Sequence, residues 1–314
     1  MNVPKLAAQT GSSRQTTPHP KSLDHTRPHQ VTIFALPKPF ETTQARINQA
    51  NALLSWKSLE PAVQVVLFGD DLGIEDFAIK HGLIYGGALR RNQFGTPLLS
   101  DAFRRVHELT ESPLIMYSNA DVIYSSDLLK AAEEMQSHFS EQPFVAFGRR
   151  VDVPIDKQLD FSDASVWSWL RSQVKSQGRL SPIVCKEYFL FSRGVYDSIP
   201  DFAVGRGNWD NWMIHQAREN NLPVVNASAA IEAIHQRHDY RHLKTSRLGC
   251  YVTCPEAREN QRLAGGRHLV HGSSGTWTMS NQGIVRNPDP KSNQDFWGDL
   301  SHFFRMILSL PFQR

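Results

Sequence analysis

The sequence predicts an α/β fold, with a mixed, mostly parallel sheet flanked by helices in a single domain. Short apolar runs of strand length alternate with amphipathic helical stretches through the first half of the chain. This alternation is typical of parallel sheets that are covered on both faces. Polar turn residues follow several of the runs, as expected where ligands bind at the carboxyl ends of the strands. With 314 residues, 40% of them hydrophobic, the chain can bury one sizeable core.

The elements of the first half follow from apolar runs and from the residues that end them. Residues 31–36 are a predicted strand because the run stops at Pro37-Lys-Pro39, and Gly69-Asp-Asp71 closes a second strand at 63–68. The other predicted strands are 82–85, 114–117 and 144–147, and the predicted helices are 45–58, 75–81, 97–109 and 127–139.

The second half of the chain is less regular. Strands are predicted at 188–191 and 224–225, and a predicted helix at 209–220 follows a glycine-bearing loop. Residues 266–314 are expected to form a C-terminal extension that ends in an amphipathic helix at 295–310. Its apolar stripe either docks on the domain or makes peripheral contact with a membrane. The stripe consists of Phe296, Leu300, Phe303, Phe304, Ile307 and Leu308.

Charge and cysteine content argue against several classes of protein. The formal net charge of +3 lies entirely in residues 1–30, which we interpret as a disordered basic tail. The rest of the chain is balanced in charge, so we expect no nucleic-acid partner. Three cysteines do not suggest a disulfide framework and suit a reducing compartment. No apolar run reaches the length of a signal-peptide core or a membrane span.

The segment Tyr117-Ser-Asn-Ala-Asp121 is the strongest candidate for chemistry. An apolar strand delivers Asn119 and Asp121 into the turn that follows it. Hard divalent cations take such oxygen ligands and are often held by one or two carboxylates plus substrate phosphates. Asn and Asp also form turns by bonding to their local backbone, so a purely structural role is the alternative.

Asp210 is the second candidate. It lies near the start of a predicted helix, where the helix dipole stabilises a charged carboxylate. The carboxylate either begins the helix or serves as a base. The flanking Trp209 and Trp212 offer flat apolar faces that suit sugar rings, although tryptophan more often packs in a core.

Three short motifs, in order, resemble those of the GT-A glycosyltransferases. Asn119-Ala-Asp121 resembles the DxD motif of that family. Gly207-Asn-Trp-Asp-Asn-Trp-Met213 is similar to the acidic motif at the start of an acceptor-side helix, and His235-Gln-Arg-His-Asp-Tyr240 to a late histidine of the metal site. The resemblance covers residues 31–265 and implies the GT-A, Rossmann-like fold.

The resemblance also implies roles for individual residues. Residues 31–121 would bind the nucleotide and 122–265 the acceptor, with Asp210 as the catalytic base. The implied ligands of a divalent cation, Mn²⁺ or Mg²⁺, are Asn119, Asp121 and His238. The implied donor-nucleotide contacts are Pro37, Lys38, Asp70, Asp71, Arg91, Asn92 and Asn119. Asn119 departs from the motif, which usually has Asp there, and the departure removes one negative charge.

The implied activity is transfer of a sugar from a nucleotide-diphospho-sugar to an acceptor hydroxyl, inverting and metal-assisted. The acceptor would be a glycan, a lipid-linked compound or a small molecule. Enzymes of this class in the eukaryotic secretory pathway usually carry an apolar N-terminal anchor. Because this sequence shows no apolar run of that length, we expect a bacterial, cytoplasmic enzyme. Contact with the inner membrane face through residues 295–310 stays open.

Three alternatives remain. A nucleotidyltransferase would usually have a glycine-rich loop where this chain has Pro37-Lys-Pro39. A nucleotide-sugar-binding protein without turnover is the second alternative, and Asn119 is its best support. The third is a structural zinc site, although the ligand spacing is not a standard one; its ligands would be His235, His238, His242, Cys250 and Cys254.

Overall fold

The computed structural model describes residues 29–182, 185–237, 254–265 and 275–288. The strands are β1 (Val31–Ala35), β2 (Val63–Phe68), β3 (Ile84–Gly87), β4 (Leu114–Ser118), β5 (Val122–Ile123), β6 (Val145–Val153), β7 (Arg179–Leu180), β8 (Lys186–Ser192), β9 (Val224–Asn226), β10 (Ala233–Gln236), β11 (Trp277–Ser280) and β12 (Gly283–Arg286). The helices are α1 (Thr43–Lys57), α2 (Ile74–His81), α3 (Leu99–Leu109), α4 (Asp127–His138), α5 (Ser165–Gln177), α6 (Trp209–Glu219) and α7 (Pro255–Leu263).

The strands join in one sheet whose main path runs β12-β11-β9-β6-β8-β4-β1-β2-β3. Along this path β8 is antiparallel to β4 and β6, and β12 is antiparallel to β11, while the other neighbours are parallel. The predicted α/β class with a mixed, mostly parallel sheet is confirmed. The chain passes from β1 to β2 and β3 and then returns to β4 on the other side of β1. Open α/β sheets bind ligands at such a switch point.

The predicted elements of the first half are confirmed, with bounds that differ by no more than two residues, except that β6 ends at Val153, six residues beyond the predicted strand. The structure adds elements that the sequence did not predict, among them α5, α7 and β10. The strands β11 and β12 fall within the predicted C-terminal extension, yet β11 pairs with β9 and so continues the sheet. Residues 1–28 of the predicted tail at 1–30, His238 and the predicted helix at 295–310 lie outside the described residues. None of the described helices is long and apolar enough to cross a membrane.

Helices cover the sheet on both faces because its strands are apolar on both sides. On one face Trp56 of α1 packs with Tyr124, and its indole N–H donates to the Val122 carbonyl at 2.8 Å. On the other face Phe103 of α3 contacts Phe34 edge to face, with ring centroids 5.0 Å apart. This double coverage confines open polar turns to the strand ends.

Gly148 in β6 is a point of close approach between neighbouring strands. A Cβ atom at this position would lie 2.2 Å from the hydroxyl oxygen of Tyr188 in β8 and 2.5 Å from its Cζ. Tyr188 is fully buried, and its hydroxyl has no hydrogen-bond partner among the residues described. The packing of β6 against β8 therefore requires the absence of a side chain at 148.

We expect Gly148→Ala to lower the free energy of unfolding by about 1–3 kcal/mol, because the added methyl group overpacks a buried ring. Tyr188→Phe is the control and should leave stability nearly unchanged, since it removes a buried hydroxyl without a partner. Urea unfolding of the three proteins measures both effects. A Gly148→Ala protein as stable as the parent would contradict the close approach.

Candidate active site

Asn119 follows β4 directly and is held by Glu187 of β8. Its side-chain Nδ2 donates to Glu187 Oε2 at 2.5 Å, and its backbone N–H donates to the Glu187 carbonyl at 3.2 Å. The hydroxyl of Tyr117 donates to Asn119 Oδ1 at 3.4 Å. These contacts fix which way the amide faces, with its nitrogen toward the interior carboxylate.

Asp121 lies beside His235, which β10 supplies. β10 pairs antiparallel with β5, so that His235 stands opposite Val122. Its Nε2 is 3.8 Å from Asp121 Oδ2, and its Nδ1 donates to Asp152 Oδ1 at 2.7 Å. His238 lies outside the described residues, so the predicted role of that histidine is untested. The histidine that the structure places next to Asp121 is His235.

The two carboxylates around His235 control its protonation. Burial and the nearby Arg150 lower the pKa of His235, but Asp121 and Asp152 act in the opposite direction and the pKa is raised overall. Burial raises the pKa of Asp152. The hydrogen bond from His235 and the charge of Arg150 outweigh this effect, so the pKa of Asp152 is lowered overall. The two carboxylates therefore stabilise the protonated form of His235.

Arg150 and Glu187 form a buried ion pair that the sequence analysis missed. Arg150 Nη1 lies 2.5 Å from Glu187 Oε1, and the two side chains are 8% and 4% exposed. Arg150 Nε lies 2.9 Å from Asp152 Oδ1. A continuous chain of polar contacts thus runs from Asn119 through Glu187, Arg150 and Asp152 to His235. The available signal was that charged residues directly adjoin apolar strand cores, at 149–152 and 186–187.

The backbone of Asp121 accepts a hydrogen bond from the side chain of Gln236. The Gln236 side chain is fully buried, and its Nε2 donates to the carbonyls of Asp121 at 3.2 Å and Asn48 at 2.6 Å. Its Oε1 accepts a hydrogen bond from Asn51 Nδ2 at 2.8 Å. The turn that carries Asp121 is therefore tied to α1 as well as to β10.

Asp210 occupies the first turn of α6, as predicted. Lys186, the residue before Glu187, brings its Nζ to 3.5 Å from Asp210 Oδ2 and donates to Asn211 Oδ1 at 2.8 Å. The Lys186 side chain is 1% exposed, whereas that of Asp210 is 20% exposed. The carboxylate thus has a buried cation on one side and an opening to solvent on the other.

The two tryptophans beside Asp210 belong to the packing of α6. Trp209 is buried and contacts Tyr117 edge to face, with ring centroids 5.1 Å apart. Trp212 packs on Phe202, with ring centroids 5.4 Å apart. Trp209 therefore anchors the start of α6 to the sheet next to the end of β4.

A second group of predicted residues meets at the ends of β2 and β3. Arg91 Nη2 lies 2.6 Å from Asp70 Oδ1 and 3.3 Å from Asp71 Oδ1. The hydrogen bond from Arg91 is the main cause that lowers the pKa of Asp70. These side chains are partly exposed, so the cluster faces solvent while holding its shape.

The other residues predicted to contact the donor nucleotide, Pro37, Lys38 and Asn92, lie outside this cluster. Pro37 is buried and Lys38 is exposed; the Lys38 backbone N–H donates to Gln49 Oε1 at 2.6 Å. Asn92 uses its side chain within the protein: Oδ1 accepts from the backbone N–H groups of Phe94 and Thr96. Its Nδ2 donates to Glu256 Oε1 at 2.8 Å. Asn92 therefore shapes its loop.

The group around Asn119 and Asp121 and the cluster of Asp70, Asp71 and Arg91 both lie at the carboxyl ends of parallel strands. β1 lies between β2 and β4 and pairs in parallel with both. Adjacent strands are about 4.8 Å apart, so the ends of β2 and β4 are separated by roughly 10 Å. The end of β1, with Pro37 and Lys38, lies between them.

The residues at the end of β4 have the chemistry that a hard divalent cation requires. Asp121 offers a carboxylate and Asn119 an amide oxygen, and such cations are commonly held by one or two carboxylates plus substrate phosphates and water. Within the described ranges no group of three or more His, Cys, Asp or Glu side chains is arranged to hold a metal ion. Two oxygen ligands are fewer than such a cation takes, so a cation held here would need further ligands from water or from a substrate.

Comparison with known proteins gives structural likenesses only. No known family profile matches the chain, and no curated protein sequence matches it. The fold is similar to S. aureus TarS 1-349 in complex with UDP-GlcNAc, at 13% identity over 76% of this chain and 66% of that one, with a TM-score of 0.46. This chain covers 58% of the chain in another crystal structure of S. aureus TarS 1-349.

A second likeness is to glucosyl-3-phosphoglycerate synthase from Mycobacterium tuberculosis in complex with Mn²⁺, UDP and phosphoglyceric acid. The identity is 12% over 82% of this chain and 86% of that one, with a TM-score of 0.44.

We expect Glu187→Leu to lower the free energy of unfolding by about 3–5 kcal/mol, because removing one partner leaves the buried Arg150 without its closest counter-charge. Glu108→Leu is the matched control. Glu108 pairs with Arg104 on the surface of α3, where both side chains are more than half exposed, and such pairs contribute about 0–1 kcal/mol. Equal urea-unfolding curves for the two variants would contradict the buried network.

Proposed function

We propose that this protein is a glycosyltransferase that moves a sugar from a nucleotide-diphospho-sugar to an acceptor hydroxyl. One observation carries the proposal: two consecutive residues of β8 contact the predicted diphosphate site and the predicted base. Glu187 binds Asn119 at the end of β4, and Lys186 faces Asp210 at the start of α6. Neighbouring residues of β8 therefore link the predicted diphosphate site to the predicted base.

The donor would extend across the ends of β2, β1 and β4. In this proposal residues 31–121 bind the donor and residues 122–265 the acceptor. Asp70 and Asp71 accept hydrogen bonds from the nucleoside, and Arg91 holds their orientation. The exposed ammonium of Lys38 provides a cation toward the phosphates.

A divalent cation, Mn²⁺ or Mg²⁺, is the proposed cofactor. Asp121 and Asn119 would hold it, and bound there it would neutralise charge on the departing diphosphate. His235 orients the Asp121 carboxylate, and Gln236 fixes its backbone. These contacts are made within the protein itself, and groups that are held in place in this way reorganise little when charge develops.

Asp210 would act as the general base. Its carboxylate takes the proton of the acceptor hydroxyl as the hydroxyl oxygen forms a bond to the anomeric carbon. The bond between that carbon and the diphosphate oxygen breaks on the opposite face, so the configuration inverts. Lys186 orients the Asp210 carboxylate through a contact that is shielded from solvent.

The diphosphate site can be tested by removing its carboxylate. Asp121→Ala should abolish the Mn²⁺-dependent part of UDP binding, measured by titration calorimetry with and without EDTA. The fold should persist, because the side chain belongs to a turn. Glu133→Ala, which changes an exposed carboxylate of α4, should leave binding as it is. Unchanged Mn²⁺-dependent affinity in the Asp121→Ala protein would remove this residue from the site.

The base can be tested by an isosteric change. Asp210→Asn should lower turnover by about 10²–10⁴-fold, the usual contribution of general-base catalysis, while UDP affinity stays close to that of the parent. Release of nucleoside diphosphate from a panel of nucleotide-sugars measures turnover. Asp163→Asn is the control, because Asp163 is an exposed carboxylate just ahead of α5.

Near-normal turnover of a folded Asp210→Asn protein would exclude Asp210 as the base. A parent protein that binds UDP but turns over none of the nucleotide-sugars tested would instead support the alternative of a binding protein. An NMR spectrum of the product with retained anomeric configuration would exclude single-displacement inversion.

A further inference from the structure

The helix α7 contacts two loops that belong to different halves of the candidate site. The donor loop, residues 90–98, carries Arg91. The acceptor loop, residues 202–208, leads directly into α6 and Asp210. α7 comes later in the chain than both loops, and its polar residues reach each of them.

Glu256 joins the two loops through its two carboxylate oxygens. Oε1 accepts a hydrogen bond from Asn92 Nδ2 of the donor loop at 2.8 Å. Oε2 accepts from Arg206 of the acceptor loop, at 2.9 Å from Nε and 2.5 Å from Nη2. Glu256 is 7% exposed, so these hydrogen bonds are shielded from solvent. Charge-assisted, two-pronged contacts of this kind fix geometry as well as contributing energy.

Asn260 holds the acceptor loop one turn further along α7. Its Oδ1 accepts from the Ala203 backbone N–H at 2.8 Å, and its Nδ2 donates to the carbonyls of Ala203 at 3.0 Å and Gly207 at 3.3 Å. Asn260 is 1% exposed. Gly207 precedes Asn208, which caps the N-terminus of α6 in a left-handed conformation with φ of 79°.

The two loops also pair with each other. The Val204 N–H donates to the Pro97 carbonyl at 3.1 Å, and the Leu99 N–H donates to the Phe202 carbonyl at 2.9 Å. The backbone bonds join the loops along one seam, and the side chains of α7 pin that seam from outside. A polar path therefore leads from the loop of Arg91, through Glu256, to the start of the helix that carries Asp210.

We infer that Glu256 is a positioning residue, which sets the distance between the nucleotide cluster and the base by clamping the donor loop to the acceptor loop. The inference rests on the proposed function. Burial raises the pKa of Glu256, but hydrogen bonds from Thr96, Asn92 and Arg206 outweigh it and lower the pKa overall. The clamp is therefore ionised and closed at neutral pH.

The clamp is expected to affect how the base is aligned with the substrate and to leave nucleotide binding unaffected. Glu256 forms no part of the Asp70, Asp71 and Arg91 cluster, so loosening it should leave nucleotide affinity nearly intact. A base displaced by about 1 Å, however, can lower a rate by about 100-fold, because reacting groups must approach within a narrow geometry. A loss in kcat without a loss in nucleotide binding is thus the expected signature.

The experiment compares Glu256→Gln and Arg206→Lys with Glu259→Gln. Glu259 lies one turn along α7 and pairs only with Arg262 in the contacts described, with both side chains more than half exposed. Hydrogen exchange measured by mass spectrometry should speed up in peptides covering 88–98 and 202–212 for both clamp variants and stay unchanged for Glu259→Gln. Turnover should fall by about 10-fold or more in the clamp variants, while UDP affinity stays within about threefold.

The two readouts separate the possible failures. Exchange confined to residues 254–265 in both clamp variants would overturn the clamp, whatever the activity of the protein. Faster exchange in both loops with unchanged kcat would overturn the positioning role. A parent protein that neither binds UDP nor consumes a nucleotide-sugar, yet shows the expected exchange, would refute the proposed function and leave the clamp standing. If Glu256→Gln fails to fold, Arg206→Lys keeps the charge and tests the same contact.

Discussion

The direction of β8 is the constraint on which the candidate site depends. β8 lies between β4 and β6 and runs antiparallel to both, so its first residues lie at the carboxyl end of β4, while Lys186 pairs with Arg149 inside β6. A parallel strand in this place would bring its last residues there instead. The antiparallel insertion brings Lys186 and Glu187 next to Asn119, which follows β4, and Asp210, which lies in the first turn of α6.

The charges gathered at that edge can be buried because each has a counter-charge. Arg150 lies between Glu187 and Asp152, and Lys186 faces Asp210. Isolated charges would be very costly to bury, and a single missing partner would leave the others uncompensated. A complete network also holds its dipoles in place, and preorganised dipoles of this kind are what stabilise developing charge in an active site.

The parts of the site that the sequence could predict are those set by local pattern. Asp70 and Asp71 end an apolar run, as do Asn119 and Asp121, and parallel pairing brings the ends of such runs to one edge. The fold class followed from the same alternation of strands and helices. These features depend on residues close together in the chain.

The missed parts depend on distant pairing. Arg150 and Glu187 are 37 residues apart, and charged residues at strand ends are normally solvated. β10 has only four residues, too few to give a period. The late motif contains both His235 and His238, and the resemblance assigned the role to His238, so the sequence did not identify His235 as the histidine beside Asp121. α7 contains little that is apolar, and it contributes Glu256 and Asn260 through contacts with loops that lie fifty or more residues earlier in the chain.

The asparagine at 119 follows from the position of Glu187. Its Nδ2 donates to a glutamate oxygen at 2.5 Å, a contact that a carboxylate could make only by taking up a proton. An aspartate there would place two like charges at hydrogen-bond distance, and one of the two pKa values would rise strongly. The amide satisfies Glu187 and keeps an oxygen for other partners. Asn119 is neutral, and the negative charge beside it belongs to Glu187, where Arg150 balances it. Asp121 is therefore the carboxylate that remains available to a cation.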